Sequence, residues 1–179
     1  MISQKIDPFL LKNLQYFKQV RLFYDLNNEQ IKTVLSEMKV ERFPPDTYIM
    51  KEGSVGDKMF ILIKGAVEIS KSLILPEWLP VLNKQEKSLL HFSEKDFPFF
   101  GEMVMLRDNL IRSASIITRT ESILASIGKK EFDSIVERDH TLGMKLFKNM
   151  AGELADRLRK TNKDILKLTT ALSIALEGK

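Results

Sequence analysis

Apolar and polar positions alternate along the chain in two ways, at helical spacing near both ends and in short strand-like runs between them. Near the start, Asp7-Pro8 places an N-cap before a proline at the first helical position, and Phe9, Leu10, Leu14 and Phe17 follow at helical spacing. Asn27, with Gln30 three residues on, forms a capping-box pattern ahead of Ile31, Val34, Leu35 and Met38. Two N-terminal helices are therefore predicted within residues 1–40. From Glu41 the period changes. Pro44-Pro45-Asp46 marks a turn, and Gly53, Gly56 and Gly65 separate short apolar runs, Met59 to Ile63 and Ala66 to Ile69 among them. Closely spaced short strands with glycine turns predict an antiparallel barrel or jelly roll over 41–128, with Ile116-Ile117 and Ile123 to Ile127 as its closing strands.

Beyond Gly128 the helical period returns. A short helix is predicted near Phe132 to Val136, then a long one from about Thr141. Leu142, Leu146, Met150, Leu154, Leu158, Ile165, Leu168, Leu172 and Ala175 fall on one stripe at steps of four and three. From Ile165 onward this spacing is close to a coiled-coil seam, so residues 129–179 read as C-terminal helices, to which the resemblance described below gives the roles of hinge and dimerisation helix. The stretch from Ser70 to Phe99 holds Trp78 between Pro76 and Pro80. We read it as a structural loop in which Trp78, the sole tryptophan, covers the barrel, with a partner-docking insertion as the alternative.

Composition narrows the function classes. A chain of 179 residues is long enough for one domain with a sizeable core. It has no apolar run of membrane-spanning length and no secretory leader pattern, so a cytoplasmic setting is expected. With no cysteine there is neither thiol catalysis nor a disulfide. The net charge of +4 is modest, and the basic residues gathered after Thr141 suit a solvated helix face better than a nucleic-acid surface. His91 and His140 have no cluster of ligands at metal-binding spacing, so no metal is expected. No nucleophile elbow, phosphate-binding loop or general-base pair is present, and no catalytic residue is assigned: the chain is not expected to be an enzyme.

The densest chemistry lies at Phe100-Gly101-Glu102-Met103, followed by Arg112-Ser113-Ala114-Ser115. Gly101 permits close backbone approach, and Arg112 offers a planar fork of donors that suits a phosphate. Ser113 and Ala114 are small enough to expose their amides. Glu102, an acceptor when ionised, suits a sugar hydroxyl. An ordinary surface ion pair between Glu102 and Arg112 is the alternative.

These residues, with Asn109-Leu110-Ile111 before the arginine, closely resemble the phosphate-binding cassette of cyclic nucleotide-binding domains, as in catabolite activator-like regulators and protein kinase A regulatory subunits. The resemblance extends to Phe43 to Thr47, Ile49, Glu52-Gly53-Ser54, Gly56-Asp57 and Met59 to Ile69. It implies an eight-stranded antiparallel jelly-roll barrel with flanking helices, and a sensor that shifts its C-terminal helix. It further implies that Arg112 holds the cyclic phosphate with Ser113 and the Ala114 amide, that Glu102 holds the ribose 2′-hydroxyl, and that Gly101 and Met103 line the sugar. Ala114 leans towards cyclic AMP, with cyclic GMP and cyclic di-GMP open. Arg157 would pair with Glu102, Thr161 would reach the adenine amino group, and Asn162 the base of the other subunit. On residue type alone, Thr161 is equally a tolerated polar residue that fixes the register of the seam. The resemblance also implies a homodimer through the long helix and a protein effector. Only Leu176 to Lys179 follow Ala175, too few for a helix-turn-helix, so DNA binding by these residues is not expected. A non-binding dimeric scaffold and the input portion of a catabolite activator-like transcription regulator are the remaining alternatives.

Overall fold

The structure, a computed structural model, describes residues 5–72, 86–107 and 111–177. Trp78, and Asn109 and Leu110 of the cassette, lie outside the described residues.

Two short helices open the chain, α1 (Pro8–Lys12) and α2 (Leu14–Phe17), split at Asn13 where one continuous helix was predicted. Asp7 caps α1 by accepting from the Phe9 amide at 2.7 Å. A 3-10 turn, Arg21–Phe23, leads to α3 (Asn28–Ser36), whose capping box closes as the sequence predicts: Asn27 accepts from the Gln30 amide and the Gln30 side chain accepts from the Asn27 amide.

Eight strands follow: β1 (Lys39–Phe43), β2 (Tyr48–Met50), β3 (Lys58–Lys64), β4 (Ala66–Ser72), β5 (Glu86–Ser93), β6 (Phe99–Phe100), β7 (Ser115–Thr118) and β8 (Ser122–Gly128). They form two antiparallel four-stranded sheets, ordered β1-β8-β3-β6 and β2-β7-β4-β5. The fold is the predicted jelly roll with flanking helices, built as a sandwich of two sheets that do not close into one barrel. Much of the stretch from Ser70 to Phe99 is not loop. β5 pairs with β4 from Ala66–Ser93 to Ser72–Glu86, and a 3-10 turn, Glu94–Asp96, follows. Lys87 to Leu90 are all exposed on this edge strand, so no buried face imposes the alternation that would have revealed it.

β3 shows how the layers are made. Its run Met59 to Ile63 is buried throughout. Met59, Ile61 and Ile63 join the core beneath the helices, whereas Phe60 and Leu62 join the core between the sheets. β6 divides in the same way, Phe99 towards the helices and Phe100 between the sheets. A strand covered on both faces reads as continuous apolar sequence, which explains the run.

A single turn, α4 (Met103–Leu106), follows β6. α5 (Lys129–Arg138) and α6 (His140–Glu177) complete the chain. α6 is anchored by Leu142, Leu146 and Met150 and by buried Asn149, whose Nδ2 donates to the Leu22 and Tyr24 carbonyls at 2.9 and 2.8 Å. From Leu158 to Glu177 every described residue of α6 is exposed. At 1.5 Å per residue that is about 30 Å of helix standing clear of the body.

Candidate functional site

β6 delivers Phe100 into the core, and the chain must then turn sharply to start α4. Gly101 makes that turn at φ 78, a backbone region that side chains with a Cβ rarely adopt. A Cβ here would also lie 2.8 Å from Nη1 of Arg112 and 2.9 Å from the Lys58 carbonyl oxygen. The turn buries Glu102, 3% exposed, and leaves Met103 on the surface.

Arg112 arrives from the opposite side. Its segment is held by the loop after β2: the Arg112 amide donates to the Ser54 carbonyl at 2.8 Å, and the Gly53 amide donates back to the Arg112 carbonyl at 2.9 Å. The side chain runs inward and is 6% exposed. Nη2 donates to the Lys58 carbonyl at 2.7 Å and Nη1 to the Gly101 carbonyl at 3.4 Å, while Nε is buried with no partner. Gly56 makes room for this path, because a Cβ there would land on the guanidinium. Burial lowers the affinity of Arg112 for its proton, opposed by the charges of Asp57 and Glu102. Neutral carbonyls hold this cation; no carboxylate of the described residues forms an ion pair with it.

Glu102 is held from α6. Nη1 of Arg157 donates to its Oε1 at 2.9 Å, Nη2 donates to the Phe99 carbonyl at 2.8 Å, and the guanidinium carbon lies 5.6 Å from the centre of the Phe99 ring. Nε of Arg157 donates to Glu153 at 2.9 Å, and Glu153 also accepts from Arg21. Burial pushes the Glu102 carboxyl above the usual carboxylate range, against the pull of Arg157.

Two clefts flank this centre. One, of about 240 Å³, lies beside Arg112 and Gly56 and is bounded by Glu41, Phe43, Met50 and Phe60. The other, of about 170 Å³, lies beside Arg157, with Phe92, Phe97 and Phe99 as walls and Gln19, Arg21, Asp96 and Glu153 at its margin. Each is smaller than the roughly 300 Å³ at which ligand pockets usually begin.

The structure thus gathers Gly101, Glu102, Arg112 and Arg157 into one centre. Ser113 is exposed beside it and Ala114 is half-buried. Thr161 and Asn162 are not brought to it. Both are exposed, and the Thr161 hydroxyl donates to the Arg157 carbonyl of its own helix at 3.0 Å. The aromatic wall and the N-terminal residues Gln19 and Arg21 were not singled out from sequence, because they meet the centre only through tertiary packing. Among the described residues no group of three potential metal ligands occurs, and no helix is long and apolar enough to cross a membrane.

Residues 40–139 match the family model described as the cyclic nucleotide-binding domain. The chain is 28% identical over 145 residues to potassium/sodium hyperpolarization-activated cyclic nucleotide-gated channel 2 of Homo sapiens, an alignment covering 81% of this chain and 14% of the channel. It is 26% identical over 121 residues to a cAMP-dependent protein kinase regulatory subunit of Colletotrichum orbiculare, covering 68% of this chain and 27% of that protein. The chain therefore spans only a minor part of the relatives it matches in sequence. Among solved structures it shares its fold with a cyclic nucleotide-binding domain from Methylobacillus flagellatus (TM-score 0.72, 24% identity, 88% of this chain and 83% of that one). The catabolite activator protein of Thermus thermophilus shares it too (TM-score 0.68, 24% identity, 83% and 63%).

Proposed function

The chain belongs to the cyclic nucleotide-binding domain family, whose members are regulatory domains and not catalysts, and on that premise we propose that it is a cyclic AMP sensor. The observation that carries this reading is Arg112: a guanidinium 6% exposed, with no carboxylate partner and with Nε unsatisfied. An unpaired buried cation is costly unless something of opposite charge can reach it. A cyclic phosphate would supply acceptor oxygens for Nε and its neighbouring N–H groups, helped by the Ser113 and Ala114 segment. Glu102 would accept from the ribose 2′-hydroxyl, with Gly101 and Met103 along the sugar. Ala114 offers no hydroxyl to a guanine amino group, which favours cyclic AMP.

Arg157 engages one carboxylate oxygen of Glu102 and the flanking clefts are small, so entry of a nucleotide would rearrange the surroundings of that contact. Arg157 lies on α6, so binding would act on the position of the helix; the difference in ligand affinity between its two positions limits the response. Thr161 and Asn162 would contact the base only after such a movement. The exposed apolar stripe from Leu158 through Leu172 supports a homodimer formed along α6, with the helix position as the signal to a protein effector.

Isothermal titration with cyclic AMP, cyclic GMP and cyclic di-GMP, with Arg112→Ala as control, tests the reading. Cyclic AMP binding that disappears in the variant is expected. No heat with any of the three would overturn the sensor and leave the dimeric scaffold as the better account.

A further inference from the structure

The cleft beside Arg112 holds a second cation. Side chains of β3 alternate between two layers, and Lys58 falls on the face of Phe60 and Leu62, which belong to the core between the sheets. Lys58 and Arg112 both line the cleft. They are also joined through the backbone, because the Lys58 carbonyl accepts from Nη2 of Arg112 at 2.7 Å. The Cα of Lys58 is therefore within about 5 Å of that nitrogen. Beyond it, the lysine is a flexible four-carbon stem ending in three rotatable donors.

Here that stem is turned towards β1. Nζ of Lys58 donates to Oε1 of Glu41 at 2.8 Å, and the Ser126 hydroxyl of β8 donates to the same oxygen at 2.5 Å. The lysine side chain is 43% exposed, so burial does not lock the pair. Burial works against the Glu41 carboxylate, but bonds from Lys58 and Ser126, with the charges of Lys58 and Lys39, outweigh it and keep the group below the usual carboxylate range. Ser126 and Lys39 remain as supports if the lysine leaves.

We propose that Lys58 is a second phosphate ligand of the nucleotide site, held by Glu41 until a cyclic phosphate reaches Arg112 and then swung onto one of its oxygens. This rests on the nucleotide reading above and adds to it a residue that sets the affinity.

The charges around Arg112 favour the exchange. Asp57 and Glu102 lie near enough to act on the guanidinium, and Glu41 borders the same cleft. A phosphate entering among these carboxylates meets repulsion that one arginine only partly offsets. Arg112 also has donors already in use, with Nη2 on the Lys58 carbonyl and Nη1 on that of Gly101. A cyclic phosphate carries two unbridged oxygens, each able to accept more than one bond. A compact ammonium can approach the oxygen that the planar fork leaves open. The lysine exchanges one anion for another, so the movement needs no charge to be stranded.

Titration calorimetry with cyclic AMP compares the full chain with Lys58→Met, Glu41→Gln, the double variant and Arg112→Ala. Ion pairs of this exposure alter an equilibrium by up to about fivefold. Lys58→Met is expected to weaken binding by about that factor and to make it less sensitive to salt. Glu41→Gln releases the lysine and should tighten binding by about twofold. The double variant should bind like Lys58→Met, because Glu41 acts through the lysine. Arg112→Ala should not bind. If Lys58→Met binds as tightly as the full chain while Arg112→Ala does not bind, the lysine assignment is wrong and the phosphate site at Arg112 stands. If Glu41→Gln tightens binding as much in the Lys58→Met background as alone, the glutamate repels the phosphate directly and does not hold the lysine back. If the full chain binds no cyclic AMP, both readings fall.

Discussion

Arg157 and Glu102, 55 positions apart in sequence, are joined by a 2.9 Å bond from Nη1 to Oε1, and the carboxylate end of that bond is 3% exposed. The family match covers residues 40–139, so Arg157 lies outside the matched segment while Glu102 lies within it. This contact links the cassette to the part of the chain that stands free of the body, which makes it a natural point for ligand and helix to compete.

The burial of Glu102 gives the pair a pH signature. Its carboxyl is raised above its unfolded value, so in the window between the two values the folded state holds a proton that the unfolded state has released. The stabilisation is fully present below the unfolded value of about 4.3 and is lost as pH rises through the folded one. Relative to Glu102→Gln, which cannot ionise, the native chain should lose thermal stability as pH is raised from about 4 towards 7. A stability difference that stays flat or grows with pH over that range would contradict the raised carboxyl.

Arg157→Ala removes the cation and leaves the carboxylate. Removing one partner of a fully buried pair costs about 3–5 kcal/mol. Here the Arg157 side chain is 36% exposed, and Glu102 can take up a proton, so about half of that is expected. Denaturant unfolding at neutral pH measures it. Adding Glu102→Gln to Arg157→Ala should recover most of the loss, because the unpaired charge is then gone. A double variant no more stable than Arg157→Ala would show that the packing of the guanidinium over Phe99 matters more than its charge.

How far this centre could be read from sequence differed from residue to residue. Glu102 and Arg112 stood out because a glycine turn, a carboxylate and an arginine followed by small residues form a local pattern. The capping box at Asn27 and the four-three stripe of α6 were legible for the same reason, since both are set by neighbours within one turn or heptad. Other features come from contacts distant in sequence. Glu102 meets Arg157 across the fold, and Phe92 and Phe99 come together with Arg21 and Gln19 only once β5, β6 and the N-terminal segment have packed on α6. β5 escaped detection because, on an exposed edge, its side chains did not need to alternate. Thr161 was assigned to a base, yet its hydroxyl bonds to its own helix, the default for a threonine with nothing else in reach.

Gly56→Ala isolates the space that Arg112 needs. A methyl there would fall on the guanidinium, so Arg112 could not keep its path to the Lys58 and Gly101 carbonyls. The side chain should be expelled towards solvent, weakening cyclic AMP binding by about as much as Arg112→Ala does. Expulsion also relieves the buried unsatisfied Nε, so the variant should unfold within about 1 kcal/mol of the native chain. Titration and thermal unfolding of the same preparation check both parts. Undiminished binding would mean that the guanidinium can shift and still hold the phosphate.

The free half of α6 provides the last prediction. Leu158, Ile165, Leu168 and Leu172 are 52–70% exposed, and with Leu154, Thr161 and Ala175 they follow a strict four-three spacing. Leu or Ile at most seam positions is what a second helix of the same kind would bury, and Thr161 is the polar layer that would fix register. Leu168→Glu places a charge in that seam far from the sandwich. Sedimentation should show a dimer for the native chain and a monomer for the variant. The body should unfold within about 0.5 kcal/mol of the native value when measured at concentrations where both are monomeric, because Leu168 touches none of the core. If the native chain is a monomer at every concentration, the apolar stripe does not pair with a second copy. If Leu168→Glu remains a dimer, the subunits associate through some surface other than α6.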